Sequence, residues 1–462
     1  MRATPHHKVH LRACRVRFCS VHPLTLISTL YGQARGYRRL DIRRRVFANE
    51  KLSAETLSRL NEEEFQHHVH RSLARFPYYA ERVKAHRGSV PRPGERIRPE
   101  ELPVWTREMQ REFFAQQERP ADAAYMRQTS GSTSTPVRYY ATRESYEWRT
   151  AVMDRVYSWA HAQEGIRSLH VWGADPYPQA GFHRVKRRVH LVLQQRHFFD
   201  AFQDFGDDEM AACCEMINRI RPHAIVGYTS MLVDIARYAR DRQALSWKAR
   251  TMVTTAEGLM PGQRELLQDV LASEVFDSYG AREVMNIASE CEKHQGMHLS
   301  WDNLRTEIVD ASGNPVAPGT EGRVVVTDLH NAASPIIRYE VGDIGSMWPD
   351  QPCACGRPFP RIARIEGRLN DVIRTPHGTI NQIWFGIVVR DFSWILGWQV
   401  VQSQLDRVLF RLVTSRELTP ELLDPFLAKL RVRLGDMAID FERVDEISRR
   451  PNGKAQPLIT TI

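Results

Sequence analysis

The spacing of apolar residues changes character three times along the chain. From Ser53 to about His86 they recur at helical intervals, as in Leu60, Phe65, Val69, Leu73 and Phe76, which predicts helices that bury one face. Between Tyr146 and Glu283, helical stretches such as Met231 to Tyr238 alternate with short strand-like runs at Leu169 to Trp172, Ala224 to Val226 and Thr251 to Thr254. That alternation predicts an α/β domain with parallel strands. After Met297 the texture turns to strands and bends: RTEIVD, the turn ASGNPVAPGTEG and then RVVVTDL, a hairpin-like arrangement in a smaller β-rich portion. Beyond Asp371 come strand-like WQVVQSQ and RVLFRLV, a helix from about Pro420 to Leu434, and strand-like DFERVDEI. The expected organisation is a basic arm over residues 1–50, a large α/β domain over 51–369 with its β-rich portion, and a small, mobile α+β domain over 370–462.

Composition adjusts this picture in a few places. A chain of 462 residues, 42% of them hydrophobic, has material for more than one core. No run of eighteen apolar residues occurs, so no membrane span is expected. The basic N-terminus has only a short apolar stretch after Val21 and no small-residue cleavage site, and reads as a disordered arm or a start placed too far upstream rather than a signal peptide. The formal net charge of +9 comes mainly from Arg spread along the chain and balanced locally by Asp and Glu. With no zinc finger, helix-turn-helix or aromatic RNA motif, a nucleic-acid partner is not expected. The densest basic cluster, His183, Arg184, Lys186, Arg187, Arg188 and His190, reads as solvated surface or as a contact for a phosphate-bearing acceptor. Seven cysteines, four of them before residue 215, do not form a secreted framework and favour a reducing cytoplasm.

The segment Gln128 to Pro136, QTSGSTSTP, places hydroxyls and a glycine between strand-like AYMR and VRYYA. Such a loop is either an ordinary turn or a cradle whose backbone N–H groups and hydroxyls meet phosphate oxygens. It is not a Walker loop, since no Gly-Lys-Ser/Thr follows. Further on, Tyr279 offers an aromatic face and Glu283 a hard carboxylate oxygen suited to Mg²⁺, although a strand end leading into a helix with a surface Glu reads the same way. Asp343 sits in a Tyr-x-x-Gly-Asp turn, where one carboxylate can accept from both hydroxyls of a ribose. Lys454 lies in a Pro-Asn-Gly-Lys turn of a chain that otherwise prefers Arg.

In this order the segments TSGSTSTP (129–136), SYGAREV (278–284), RYEVGDIG (338–345), EGRLNDVI (366–373) and RRPNGKAQP (449–457) resemble the adenylate-forming acyl ligases, particularly their phenylacetate–CoA ligase-like branch. The resemblance covers nearly everything after about residue 120. It implies an acid–thiol ligase that uses ATP and Mg²⁺ to form an acyl-adenylate with release of pyrophosphate. The acyl group then passes to coenzyme A, or in the alternative to an amine, a hydroxyl or a carrier protein; a nucleotide-binding relative with weak turnover is a further reading. Residue by residue it implies a phosphate loop of Thr129, Ser130, Gly131, Ser132 and Ser134 with Thr133 catalytic. Tyr279 and Gly280 would lie on adenine, Glu283 on Mg²⁺, Asp343 on the ribose and Arg368 beside the nucleotide. Asp371 would be the hinge and Lys454 the catalytic lysine, on a domain that closes for adenylation and rotates for transfer. Ser134 stands where the family usually has glycine, which leaves fast ATP turnover open.

The acid pocket of the family lies between the phosphate loop and the adenine motif, which points to Trp172, Tyr228 and Glu257, with His170 nearby. Glu257 reads either as recognising a substrate amine or as a structural hydrogen-bonding group. Cys291, His298, Cys353 and Cys355 are candidate ligands of a structural Zn²⁺, with His294 competing with His298 and buried free thiols as the alternative. The branch carries similar cysteine and histidine positions. A homodimer is compatible with all of this.

Overall fold

The structure is a computed structural model that describes residues 38–128, 137–172, 189, 191–200, 207–259, 262–349, 351–368, 372–375, 378–381, 385, 388–389, 391–447 and 456–462. The phosphate-loop segment 129–136, the basic cluster from His183 to His190, the hinge Asp371 and the tail lysine Lys454 lie outside these residues.

The first described helix, α1 (Arg39–Ala48), is rich in arginine yet buries Ile42 and Val46. These two residues join a core with Trp148, Val152 and Val156 of a later helix, and Arg43 Nε pairs with Asp154 at 2.6 Å. Residues 39–50 are therefore part of the large body, which corrects the arm expected over 1–50: an apolar pair one helical turn apart suffices to dock the helix. Next, α2 (Ala54–Arg75) is capped by the Ser53 side chain accepting from Thr56 N, and α3 (Pro77–Arg87) starts at a proline and ends at Gly88 with φ 89°. These two are the helices expected between Ser53 and His86.

Helix α4 (Arg107–Gln116) precedes the hairpin β1 (Ala123–Gln128) and β2 (Arg138–Thr142), and α5 (Arg143–Trp159) follows it. The strands β3 (Ser168–Trp172), β4 (Arg196–Asp200), β5 (Ala224–Tyr228) and β6 (Ala249–Thr255) then alternate with α6 (Asp207–Ile220) and α7 (Thr229–Arg242). Helix α8 (Gln263–Val270) leads into β7 (Ala272–Ala281). Strands β3 to β7 are all parallel, in the order β4-β3-β5-β6-β7. Inside this order β3 and β5 are buried on both faces, because both faces are covered there, whereas the edge strand β4 is partly exposed. Along β5, Ile225 faces the core of α6, α7 and α8, while Ala224 and Val226 face that of α1 and α5.

The sheet does not stop there. β8 (Met285–Glu290) folds back antiparallel on β7, and β9 (Met297–Leu299), β10 (Leu304–Val309), β11 (Glu321–Asp328), β12 (Tyr339–Met347) and β13 (Arg361–Arg368) continue it. The result is one eleven-stranded sheet in which the β-rich portion and the α/β layers are continuous. RTEIVD and RVVVTDL pair antiparallel within it, Leu304 opposite Asp328.

Residues from Ile373 onward form a separate core that includes Val400, Phe410, Phe426, Leu430 and Leu458. It is built from a short hairpin, β14 (Val372–Thr375) and β15 (Gly378–Asn381), with β16 (Ile395–Gln404), β17 (Arg407–Thr414), α9 (Pro420–Leu434), β18 (Ala438–Arg443) and β19 (Leu458–Thr460). The four longer-range strands are ordered β18-β17-β16-β19. The chain is thus α/β in its large part and α+β in its small one. Strand β18 ends four residues before Ile447, the end of the expected DFERVDEI strand.

One buried ion locks the start of β12. Arg338 is 1% exposed, adopts φ 50°, and donates to Glu307 Oε2 at 3.2 Å and to the carbonyls of Leu102 and Gly313 at 2.8 and 2.6 Å. Removing one partner of such an arrangement leaves an uncompensated buried charge. Replacing Arg338 by Met is expected to destabilise the large domain by about 3–5 kcal/mol, read as a lower urea midpoint.

Candidate active site

In a doubly wound sheet the carboxyl ends of parallel strands form the opening where ligands bind. Four of the sequence-derived candidates stand at those ends. Trp172 closes β3, Tyr228 closes β5, Glu257 follows β6 by two residues, and Tyr279 lies two residues before the end of β7. Register places Tyr228 beside Thr255 and Thr255 beside Ser278, so the four residues share one edge of the sheet. The Trp172 and Tyr228 rings lie 4.9 Å apart. Burial, with Glu257 nearby, pushes the Tyr228 phenol up to about 12, which keeps it a neutral hydrogen-bonding group.

Glu257 has a structural task. Its Oε2 accepts from Ser230 N at 3.0 Å and its carbonyl from Thr229 Oγ1 at 2.6 Å, closing the N-terminus of α7. Its Oε1 is buried with no hydrogen-bond partner among the described residues.

The segment SYGAREV is a hairpin rather than a strand entering a helix. Ala281 pairs with Met285, and a bulge lies between Tyr279 and Gly280. The turn is tight enough that a Cβ on Gly280 would sit 2.3 Å from the Met285 carbonyl oxygen, so glycine is a geometric requirement. Glu283 comes out of this turn only 5% exposed, and its Oε1 accepts from the Tyr339 hydroxyl at 2.8 Å. Burial first, and then the Glu283 carboxylate, hold the Tyr339 phenol far above its ordinary range, so it remains a donor. The preceding carbonyl, of Arg282, accepts from the Tyr139 hydroxyl on β2. That bond ties β2, which begins two residues after Pro136, to the Glu283 turn.

Asp343 arrives on β12 from the antiparallel half of the sheet. Its Oδ2 accepts from the Tyr279 hydroxyl at 2.7 Å, which joins the SYGAREV and RYEVGDIG segments directly. Across β12 and β13, Asp343 is the register partner of Arg368. Two residues before Tyr279, Asp277 is half-buried; desolvation and then Glu290 push its carboxyl up to about 6, against Thr254 and Arg264.

The Cys and His candidates also converge. The ligand atoms of Cys291, His298, Cys353 and Cys355 all lie within 4.8 Å of one another. The Cys291 and Cys353 sulfurs are 3.8 Å apart, and Cys355 Sγ is 3.2 Å from His298 Nε2. His298 Nδ1 is 3.0 Å from the Phe359 carbonyl, which fixes the proton on Nδ1 and turns the Nε2 lone pair toward the thiols. His294 is not part of this group; its Nδ1 faces Glu290 Oε2 at 3.1 Å. Three sulfurs and one imidazole at this spacing fit a tetrahedral Zn²⁺ site. His170 is buried inside the sheet edge, stacked 4.9 Å from Phe198, and contributes no exposed group.

Two residues of the site were not singled out from sequence: Tyr339, the donor to Glu283, and Arg107, whose Nη2 donates to the Val341 carbonyl at 2.7 Å. Tyr339 sits inside the RYEVGDIG motif, but nothing in the spacing announces a partner 56 residues away.

The AMP-binding enzyme family matches residues 43–333, and the CapK C-terminal domain matches residues 372–461. Protein CapK of Staphylococcus aureus is 23% identical over 339 residues, 72% of this chain and 74% of that protein. The phenylacetate–coenzyme A ligase of Thermus thermophilus is 32% identical over 125 residues, 26% of this chain and 28% of the ligase. Among solved structures, 2-hydroxyisobutyryl-CoA ligase in its postadenylation state, in complex with R3-HIB-AMP, superposes with a TM-score of 0.70. That match has 18% identity and covers 92% of this chain and 91% of the other.

The Gly280 turn generates a direct test. Gly280→Ala is expected to cost about 1–3 kcal/mol of stability through the displaced Met285 carbonyl. ATP affinity should fall with it, because Tyr279 and Glu283 flank the turn; thermal unfolding and ATP titration of the same variant read both effects.

Proposed function

This chain belongs to the AMP-binding enzyme family, and on that premise we propose that it is an AMP-forming acid–CoA ligase. The observation that carries the reading is the convergence of Tyr279, Glu283 and Asp343. Residues from two separated motifs meet through the Tyr279–Asp343 bond, at the opening formed by the carboxyl ends of the parallel strands. A substrate carboxylate oxygen attacks the α-phosphorus of ATP, the bond to pyrophosphate breaks, and an acyl-adenylate forms. The thiol sulfur of coenzyme A then attacks the acyl carbon and AMP leaves.

In this reading Tyr279 and the backbone of Gly280 bound the adenine, and the Asp343 carboxylate accepts from the ribose hydroxyls. Mg²⁺, held by Glu283, supplies charge neutralisation on the phosphates. Residues Thr129 to Ser134 cradle the phosphates with Thr133 as the catalytic hydroxyl, Arg368 pairs with the nucleotide, and Lys454 offsets charge at the reacting oxygens. These last assignments rest on the motif resemblance. Domain 370–462 closes over the large domain for adenylation and turns about Asp371 for transfer. Trp172 and Tyr228 form the wall for an apolar or aromatic acid, and Glu257 Oε1 is the acceptor available to a donor group on it.

The Cys291, His298, Cys353 and Cys355 group is proposed to hold a structural Zn²⁺, in a reducing compartment where the thiols stay free to bind it. The arrangement would tie the loop after β8 to the loop before β13. Protein purified without chelator is expected to contain about one zinc ion per chain by atomic emission. Cys353→Ser should lose that ion and unfold at lower temperature.

The function itself is tested by pyrophosphate release from ATP and Mg²⁺ across a panel of aryl, fatty and amino acids, with and without coenzyme A. One acid class should give release, and Lys454→Ala should reduce it by about 100-fold or more while ATP still binds. Release that is equal in Lys454→Ala, or that ignores every acid, contradicts the proposal. Acyl-AMP formation with consumption by an amine or carrier but not by coenzyme A would keep the first half-reaction and replace the acceptor.

A further inference from the structure

The segment leading into α4 is bound to the ribose-motif strand at several points. Trp105 N donates to the Arg338 carbonyl at 2.9 Å and Glu340 N to the Trp105 carbonyl at 3.0 Å, a short parallel bridge to the start of β12. Thr106 then caps α4 by accepting from Met109 N, and Arg107 is the first residue of the helix. Its guanidinium does not point to solvent. Nη2 donates to the Val341 carbonyl at 2.7 Å, two residues along β12 from Tyr339, whose phenol lies within the electrostatic reach of the guanidinium. Glu283 and Asp343 are both within its electrostatic reach.

Gly342 makes the fit possible. It adopts φ 90°, and a Cβ there would stand 3.2 Å from Arg107 Nη2 and 3.5 Å from Cζ. Arg107 Nε is buried without a hydrogen-bond partner among the described residues. A long cation held at this cost of burial, with only part of its donor fork used on backbone, is placed for its effect on the neighbouring acidic groups.

We propose that Arg107 is a positioning residue for the metal and ribose carboxylates. Through the Tyr339 hydroxyl it fixes the orientation of Glu283, and through the Val341 carbonyl it fixes the turn that presents Asp343. Partners of this kind, one bond removed from a metal ligand, set the ligand's orientation and are felt in metal affinity. The line from Arg107 through Tyr339 to Glu283 has that form: the Trp105–Tyr339 bridge and the Val341 bond hold the guanidinium alongside the start of β12, and the Tyr339 phenol donates to the carboxylate. Without the cation, the Tyr339 O–H is free to turn about its C–O bond and the carboxylate loses its fixed donor. The inference rests on the reading of Glu283 as the Mg²⁺ ligand given above.

The test is ATP binding by calorimetry at a series of Mg²⁺ concentrations, without acid, for the wild type, Arg107→Ala, Arg107→Lys and Tyr339→Phe. Arg107→Ala and Tyr339→Phe are each expected to raise the Mg²⁺ concentration for half-maximal binding by about tenfold or more. Arg107→Lys, which keeps the charge and a donor, should recover most of that loss. Binding of ATP in EDTA should be alike in the wild type and Tyr339→Phe. A folded Arg107→Ala or Tyr339→Phe with the wild-type Mg²⁺ dependence overturns the inference, even if its melting temperature falls, and leaves the ligase reading intact. If Arg107→Ala does not fold, Tyr339→Phe decides on the same criterion. Wild-type protein that binds ATP without regard to Mg²⁺ removes the role of Glu283, and this inference with it.

Discussion

A carboxyl group that is almost wholly buried needs a hydrogen-bond partner to offset the loss of water, and the Tyr339–Glu283 bond meets that requirement at the centre of this protein. The bond joins the two halves of the large sheet. Glu283 leaves the turn at which parallel strands give way to antiparallel ones, whereas Tyr339 opens a strand three places further along the sheet order. Bringing them together obliges the β7–β8 turn to be as tight as Gly280 permits and β12 to start in register with Trp105. The buried Arg338, one residue earlier, holds that start in place from the other side.

From that junction the distribution of tasks follows. Parallel strands deliver side chains at their carboxyl ends, and Trp172, Tyr228, Glu257 and Tyr279 are all delivered there. The antiparallel half of the sheet brings Asp343, and the Tyr279 hydroxyl closes the gap between the two sets. The cysteine and histidine group lies on the same antiparallel half, where His298 is paired with Ser289 on one side and Arg361 on the other. A metal there would secure the register of three strands, β8, β9 and β13, that stand between the Glu283 turn and Asp343 in the sheet order.

Much of this was legible in the sequence, and the exceptions have physical causes. Consecutive motifs expose their chemistry directly: Tyr279 and Glu283 lie four residues apart, near enough to serve one site, whereas the hairpin that joins them showed only in the pairing of Ala281 with Met285. The helices at Ser53–His86 and Pro420–Leu434 and the strands around Leu169, Ala224 and Thr251 follow from periodicity. Helix α1 was hidden because its stripe is only Ile42 and Val46 in an arginine-rich segment. Choosing between His294 and His298 needed the strand geometry that turns one toward the thiols and leaves the other on Glu290. The Arg107–Val341 bond spans 234 residues, and no local pattern marks a basic residue at a helix start as part of a distant turn. Continuity of the sheet across β7 and β8 is likewise a property of pairing rather than of either strand's composition.

The central claim is that the acid's own oxygen attacks the α-phosphorus of ATP. The most direct measurement uses the acid that supports turnover, labelled with ¹⁸O in its carboxylate, with coenzyme A present and the AMP product analysed by mass spectrometry. The account predicts that AMP gains one labelled oxygen from each acid consumed and that pyrophosphate gains none. Label in inorganic phosphate, with ADP as the nucleotide product, would show attack at the γ-phosphorus and contradict it.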